Sequence, residues 1–314
     1  MQRLELTERV IRLRNVPTLA ALPPAELAQV AQALRTRTFQ AGDMLTREDE
    51  PPRAFFLLTS GTVSMRRKGQ RVGTITAPGG VGFLSMLART AGGTACVAET
   101  YTEAYEVRVE VMDDIFEDNF QVLLATIRWV AERLIAENRQ QRRPPPYMPP
   151  TDGLHKLIGE RELGVIEKIL LVRRMRAFTE ANVNSLASLA QRMVERRVPA
   201  GEVLWRPDEP SDRSFFIVRG MCDITWNDGQ VRQEVGPGYV LGGAESLCAY
   251  PRWNTLTSRE PAILLVGNRE ALIEAFEDDF ELAMRFLSAL STLLMGFGDR
   301  KAEAGSSSVG PPAP

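Results

Sequence analysis

The chain repeats itself after 159 residues, and this internal duplication constrains the fold more than any other feature of the sequence. Residues 41–45, Ala-Gly-Asp-Met-Leu, return as Ala-Gly-Glu-Val-Leu at 200–204. Residues 115–120, Ile-Phe-Glu-Asp-Asn-Phe, return as Ala-Phe-Glu-Asp-Asp-Phe at 275–280, where the offset has become 160. A register sustained over this length indicates duplicated architecture, and two copies are too few for a solenoid. The sequence therefore predicts two copies of one domain, with one residue inserted between these anchors.

The length agrees with two domains, because 314 residues at roughly 100 to 200 residues per domain form about two cores. We place the inserted residue near the turn that holds Gly69 in the first copy or Gly229 in the second. Proline-rich and Gly/Ser/Pro-rich segments cannot continue a helix or build a core, so they mark a linker and a disordered tail. The predicted organisation is a first domain at 1–140, a linker at 141–153, a second domain at 154–300 and a tail at 301–314.

Charge and hydropathy exclude several classes of partner. The formal net charge of −2 offers no excess of positive charge to hold a nucleic-acid backbone, so no nucleic-acid partner is expected. Residues 1–9 mix charges where a secretory signal would be apolar, and no apolar run approaches the 18 residues of a membrane span. We therefore expect a cytoplasmic protein without a membrane span. The abundant arginine is typical of a GC-rich genome, which suits a bacterial source.

The cysteine and histidine content argues against metal and triad chemistry. Cys96, Cys222 and Cys248 are odd in number and have no CxxC spacing, so we expect reduced thiols. His155 is the only histidine in the chain and lies near the linker. Metal sites inside β-barrels need several imidazoles, and triad hydrolases need a positioned histidine base. We predict no metal site, no cofactor and no enzymatic activity.

Periodicity predicts the same order of elements in both copies. Short amphipathic helices are expected near 4–13 and 163–172, a second helix at 24–34, and its counterpart capped by Thr179. Glycine turns then separate short alternating or β-branched runs, which predict a closed or double-sheet antiparallel structure. Each copy ends in a long apolar helix, whose apolar part covers 120–136 in the first copy and 280–295 in the second. The helices of the second copy are expected to end near Asp299.

This order of elements resembles the cyclic-nucleotide-binding domain, the family that includes the catabolite activator protein. The features that carry the resemblance are a helix, the Ala-Gly-Asp/Glu turn, Asp-Glu-Pro, an aromatic strand and a closing glycine, and they cover almost the whole chain twice. The resemblance implies a mainly β fold with flanking α-helices: two antiparallel β-rolls of the jelly-roll type, each with N-terminal and C-terminal helices. It places Gly61 and Gly220 at a tight strand reversal. The helix-turn-helix of bacterial relatives is not expected, because only about fifteen residues follow the last helix.

In that family the ligand is held by a cassette of the pattern F-G-E-x-A-L-L followed by P-R-A-A-T. Backbone N–H groups and the arginine bind the cyclic phosphate, and the glutamate accepts the ribose hydroxyl. In the first copy, Phe83 stands at the glutamate position and Gly92 at the arginine position. We interpret this domain as having lost the nucleotide, with Phe83 filling the vacated pocket. Arg89, three residues early, offers an alternative anchor if the loop is remodelled.

The second copy is closer to the family pattern. Arg252 matches the phosphate arginine, whereas Gly243 replaces the glutamate and Glu245 lies two positions later, pointing in a different direction. Arg252 could instead pair with Glu245 in an empty cassette, and Trp253 could either stack a base or occlude the site. The candidate ligand-binding residues are Gly242, Gly243, Ala244, Glu245, Ser246, Arg252, Trp253, Asn254 and Thr255, with cyclic AMP or cyclic GMP as the implied ligand.

The resemblance implies a non-enzymatic regulatory protein that signals through its C-terminal helix. The apolar face formed by Leu282, Phe286, Leu290 and Leu294 would be exposed or buried as ligand binds, acting on a protein partner or a second copy of the chain. The tandem arrangement resembles the regulatory subunits of cyclic-AMP-dependent kinase. The alternative is a ligand-free pseudo-receptor that acts as a protein interaction scaffold, which the degenerate first cassette favours.

Overall fold

The computed structural model describes residues 2–14, 19, 22–91, 93–141, 161–175, 178–179, 181–226, 229 and 231–306. The chain divides into two compact units, one of Met1–Trp129 with Leu290–Pro314 and one of Val130–Ala289. Most of the predicted linker, together with His155, Gly92 and residues 307–314 of the predicted tail, lies outside the described residues.

The first copy forms an antiparallel β-roll between helices. Its helices are α1 (Gln2–Arg14), α2 (Pro24–Ala33), α3 (Phe83–Ala88), α4 (Val109–Asp118) and α5 (Phe120–Gln141). Its strands are β1 (Arg35–Phe39), β2 (Met44–Thr46), β3 (Ala54–Ser60), β4 (Thr62–Arg67), β5 (Gln70–Thr76), β6 (Gly79–Val81), β7 (Ala95–Ala98) and β8 (Thr102–Arg108). Two four-stranded sheets, ordered β1-β8-β3-β6 and β2-β7-β4-β5, share a core that includes Phe56, Leu58 and Val63.

The second copy repeats this architecture. Its helices are α6 (Val165–Val172), α7 (Val183–Arg192), α8 (Gly243–Cys248), α9 (Arg269–Asp278) and α10 (Phe280–Ser306). Its strands are β9 (Val194–Val198), β10 (Val203–Trp205), β11 (Arg213–Arg219), β12 (Cys222–Trp226), β13 (Val231–Val235), β14 (Val240–Leu241), β15 (Thr255–Ser258) and β16 (Ala262–Asn268). The sheets are ordered β14-β11-β16-β9 and β10-β15-β12-β13. The predicted fold of two antiparallel rolls with flanking helices is confirmed.

The inserted residue lies in the hairpin where the sequence places it. In the first copy Val63 pairs with Ile75, whereas in the second Cys222 pairs with Val235. The first strand of the hairpin is therefore offset by 159 residues and the second strand by 160. The first copy closes this hairpin with two residues, Lys68 and Gly69, which both have positive φ.

Two expectations about the helices are wrong. The N-cap of α7 is Asn182, whose side chain accepts a hydrogen bond from Asn184 N, and not Thr179. The hydroxyl of Thr179 instead donates to Met175 O at 3.3 Å. Helix α10 also continues past Asp299 to Ser306, because the residues that follow, Arg-Lys-Ala-Glu-Ala, are good helix formers.

The strand-reversal glycines are confirmed as positions that tolerate no side chain. Gly220 has φ +87°, and a Cβ there would lie 2.7 Å from Pro261 O. Gly61 has φ +90° and meets Thr102 in the same way. Such contacts leave no room for any residue but glycine, because both neighbours are fixed in the turn.

Replacing Gly220 with alanine is expected to lower the free energy of unfolding by about 2 to 4 kcal/mol, because backbone strain and overlap with Pro261 add. The matched control is Gly201→Ala, since Gly201 has φ +81° but has no heavy atom within 4 Å of its Cβ position. Strain alone should cost about 1 kcal/mol there. Urea unfolding measures both, and equal losses would contradict the steric explanation.

Helix α10 contains an apolar window that the sequence expectation overlooked. Among the described residues, Phe280–Phe297 is long and apolar enough to cross a membrane by length and composition, so the expectation that no run reaches this length is wrong. Half of the window is buried inside the protein. Leu282 and Leu287 are fully buried, as in the core helix of a globular domain.

Candidate ligand-binding site

The cassette of the second roll is a short helix opened by a glycine. Gly242 adopts the left-handed conformation, φ +74°, directly before α8, and Ala249 ends the helix with φ +51°. Ser246 N donates to Gly242 O at 2.9 Å, which closes the first turn. A Cβ on Gly242 would overlap the guanidinium of Arg252. Glycine is therefore required here both by the backbone and by the arginine that fills the space beside it.

Arg252 is buried against the cassette, with only 4% of its surface exposed. Its guanidinium donates to Gly242 O at 3.3 Å and to Arg213 O. Its ζ-carbon lies 4.2 Å from the ring centroid of Trp205, a distance typical of a cation–π contact. The side chain is thus held by neutral partners.

The backbone of Arg252 is fixed by the repeated Asp-Glu-Pro segment. Arg252 N donates to Glu209 O at 3.0 Å, and Asp208 N donates to Arg252 O at 2.8 Å. This segment follows β10, which carries Trp205 at its end. The sequence marked Asp-Glu-Pro as a sign of the fold, and the structure shows that in the second copy it positions the arginine.

The charge of Arg252 is not neutralised by a neighbouring carboxylate. Burial lowers the pKa of the Arg252 guanidinium from its usual value, while the more distant charges of Glu245, Asp212 and Glu209 act in the opposite direction. In the part of the chain that the structure describes, Arg252 forms no ion pair, and its buried Nε has no hydrogen-bond partner. The alternative of an Arg252–Glu245 ion pair is therefore wrong. Glu245 Oε1 instead accepts a hydrogen bond from Trp253 Nε1 at 2.9 Å.

Aromatic rings line the roll beside this arginine. Trp205 stacks on Phe215 with ring centroids 5.4 Å apart, and its Nε1 donates to Asn254 Oδ1 at 2.9 Å. Trp226 and Trp253 lie 5.7 Å apart. Three of the four tryptophans in the chain are therefore in this one roll.

Only five of the nine predicted site residues are joined by the side-chain contacts described above. They are Gly242, Glu245, Arg252, Trp253 and Asn254. The other four are Gly243, Ala244 and Ser246 on α8, of which Ser246 is buried, and Thr255, which pairs with Thr225 in the sheet. Sequence reasoning missed Trp205 and Trp226. Their signal was available, because both occupy strand positions whose alternate neighbours are apolar.

The first cassette turns its aromatic residue away from the interior of the roll. The Phe83 ring lies 5.0 Å from Phe55 and 5.6 Å from Trp129. Phe55 is absent from the core inside the roll, which contains its neighbour Phe56, because successive side chains on a strand face opposite sides. The interpretation that Phe83 fills the vacated pocket is therefore wrong. Arg89, the alternative anchor, pairs with Asp113 of α4.

The corresponding positions of the second copy are small. Ser214, Gly243 and Ala289 stand where the first copy has its three aromatic residues. A Cβ on Gly243 would meet only Val240 and Ser214, both at 3.8 Å or more. The two cassettes therefore share a backbone but differ in what holds them: aromatic packing in the first and Arg252 in the second.

Two antiparallel rolls, each with a glycine-opened short helix and flanking helices, define a tandem β-roll protein. The family model of the cyclic nucleotide-binding domain matches residues 36–119 and 195–279, which make up more than half of the chain. The chain belongs to the cyclic nucleotide-binding domain family and carries two copies of that domain. No catalytic domain is evident among the described residues.

Curated relatives share parts of this chain. The cAMP-dependent protein kinase regulatory subunit of Emericella nidulans is 42% identical over 57 residues, which cover 18% of this chain and 14% of that protein. The cGMP-dependent protein kinase of Toxoplasma gondii is 20% identical over 253 residues, which cover 81% of this chain and 21% of that protein. The chain thus spans about a fifth or less of the length of these two relatives.

A solved structure with similarity along the chain is the regulatory domain of Toxoplasma gondii PKA co-crystallised with cAMP. It is 13% identical, covers 96% of this chain and 97% of that chain, and has a TM-score of 0.35.

Proposed function

We propose that this chain is a non-enzymatic regulatory protein whose second roll binds cyclic AMP or cyclic GMP. Its helices transmit the structural change caused by ligand binding to a protein partner. The observation that carries this proposal is Arg252, a buried cation at the phosphate-arginine position of the family. It has no carboxylate partner, and its Nε is unpaired among the described residues. Family membership supports the class of ligand.

The energetics favour an anion beside Arg252. A buried charge costs several kcal/mol unless an opposite charge or good hydrogen bonds compensate it. Two carbonyl oxygens and an indole ring compensate the charge only in part. A phosphate oxygen would supply the missing charge through bonds worth about 1.5 to 3 kcal/mol each. Micromolar affinity corresponds to about 8 kcal/mol, so Arg252 provides a substantial share and ring stacking contributes to the rest.

The cassette contacts a helix that could carry the response. Tyr250 follows Ala249, the C-cap of α8, and its N–H donates to Glu245 O at 2.8 Å. The hydroxyl of Tyr250 accepts a hydrogen bond from Arg139 of α5, whose guanidinium carbon lies 5.5 Å from the centre of the Tyr250 ring. A ligand that moves α8 would therefore move these contacts. The coupling requires that the ligand bind one helix arrangement more tightly than the other.

The C-terminal helix provides a second route for the response. Phe286 of α10 packs on Phe276 of α9 at 4.8 Å and on Phe178 at 6.0 Å. Because α9 follows the last strand of the roll, a shift of the roll would change this aromatic contact. We propose that ligand binding alters the exposure of the apolar face of α10.

Calorimetric titration with cyclic AMP, cyclic GMP and a cyclic dinucleotide tests the proposal. We expect one site per chain for a cyclic mononucleotide, because only the second cassette retains the arginine. Ligand at 100 times its Kd should also raise stability by about 2.7 kcal/mol, which thermal unfolding detects. Absence of heat and of any stabilisation at about 1 mM ligand would contradict the proposal and favour the ligand-free scaffold. A Kd of about 1 mM corresponds to a binding free energy of only about 4 kcal/mol.

A further inference from the structure

The second roll contains another buried donor without a partner. Trp226, on β12, is 5% exposed, and its indole Nε1 has no hydrogen-bond partner among the described residues. The other two tryptophans of the roll are satisfied, since Trp205 donates to Asn254 and Trp253 donates to Glu245. Leaving a buried N–H unpaired costs about 1 to 3 kcal/mol. An unpaired donor of this kind in a native roll calls for an explanation.

Trp226 belongs to the same lining as the phosphate arginine. Its ring lies 5.7 Å from that of Trp253, the residue directly after Arg252. Trp205, whose ring faces the guanidinium of Arg252, belongs to the same buried cluster as Trp226. Both unpaired groups, Trp226 Nε1 and Arg252 Nε, are donors, and each belongs to a side chain that is more than nine-tenths buried.

The polarity of this lining differs from that of the family cassette. There, a glutamate accepts a hydrogen bond from the ligand. Here Gly243 has no side chain, and Glu245 is engaged by Trp253. The two unpaired groups, Arg252 Nε and Trp226 Nε1, can only donate a hydrogen bond. They therefore select a ligand through its acceptor atoms.

We propose that Trp226 is a ligand-binding residue of the second roll, which donates its indole N–H to an acceptor atom of an anionic ligand with a planar ring. This inference rests on the proposed function, because the same roll must accept the ligand. Trp226 and Arg252 together recognise acceptor oxygen or nitrogen atoms, and the partly buried indole of Trp253 offers a surface for the ring. Stacking on such a surface is worth about 0.5 to 1.5 kcal/mol beyond the area it buries.

The test uses the full chain labelled with ¹⁵N, which gives one indole N–H resonance for each of its four tryptophans. Single Trp→Phe variants assign the resonances. On saturation with cyclic AMP or cyclic GMP, whichever binds by calorimetry, the Trp226 indole proton should move downfield as it enters a hydrogen bond. The indole of Trp129, which lies on α5 and packs on Phe83 of the first cassette, should shift far less than that of Trp226.

The Trp226→Phe variant keeps an aromatic ring and removes only the donor and part of the volume. We expect its Kd for the nucleotide to rise about tenfold, the equivalent of one hydrogen bond, whereas Trp129→Phe leaves the Kd within about twofold. Binding heat with an unmoved Trp226 resonance and an unchanged Kd would overturn this inference and leave the proposed function standing. Absence of heat from both nucleotides would contradict the proposed function and this inference together.

Discussion

Replacing Arg252 with glutamine is expected to weaken nucleotide binding by at least about 100-fold while changing the free energy of unfolding by no more than about 1 kcal/mol. Binding falls because two charge-assisted bonds of about 1.5 to 3 kcal/mol each are lost. Stability is preserved because the variant also removes a buried charge that has no carboxylate partner, and the relief of that desolvation offsets the lost cation–π contact and the lost hydrogen bonds to Gly242 O and Arg213 O. Calorimetry gives the Kd, and urea unfolding gives the stability.

Two variants make this result specific. Arg252→Lys keeps the charge but loses the planar fork, so it should retain an intermediate affinity. Arg89→Gln changes the arginine of the first cassette, which pairs with Asp113, and should leave the Kd unchanged. If Arg252→Gln bound nucleotide as tightly as the parent chain, the phosphate would lie elsewhere and Arg252 would be a structural residue.

Truncating Trp205 to alanine should have the largest effect on stability, a loss of about 3 to 5 kcal/mol in the free energy of unfolding. The side chain is 5% exposed, stacks on Phe215 and supports the guanidinium of Arg252. Its removal leaves a cavity and deprives the buried Asn254 Oδ1 of its donor. Nucleotide binding should be lost as well, because Arg252 no longer has a surface that holds it in place. Urea unfolding followed by circular dichroism measures the first effect and calorimetry the second.

Trp205→Phe separates the ring from its N–H group. Phenylalanine can still stack on Phe215 and face the guanidinium, so we expect a smaller loss of about 1 to 2 kcal/mol from the missing bond to Asn254. Most of the binding should remain. Equal losses in the alanine and phenylalanine variants would show that the hydrogen bond, and not the ring, supports the site.

The fold could be predicted because its determinants are local or repeated. Gly61 and Gly220 mark reversals that only glycine can form, and their spacing sets the register of both copies. The repeat offset changes from 159 residues at 41–45 to 160 residues at 115–120. This change predicted an inserted residue between the two segments, and the strand pairing places it in one hairpin. Helix ends were harder, since both Thr179 and Asn182 are suitable caps. Only the path of the chain decides that Asn182 faces the free N–H groups.

The site could be predicted only in part, because the direction of a side chain depends on distant residues. The motif identified Arg252, but Trp205, 47 positions earlier, decides where its guanidinium lies. Glu245 was close enough in sequence to suggest an ion pair, yet the indole of Trp253 takes its carboxylate. Phe83 was expected inside the roll, and its contact with Phe55 shows that it faces the outer side.

The internal bonds of Arg252 also have a kinetic consequence. In the structure the guanidinium is already engaged with Gly242 O, Arg213 O and the face of Trp205. An arriving phosphate must displace the two carbonyl oxygens while Trp205 keeps its contact, so we expect the competent arrangement to be a minor state of the free protein whose population reduces the apparent affinity. We expect association to be slower than diffusion allows, with an observed rate constant that reaches a plateau as ligand concentration rises. The release of the Arg252 guanidinium from its internal partners would then limit how quickly the protein responds to a change in nucleotide concentration.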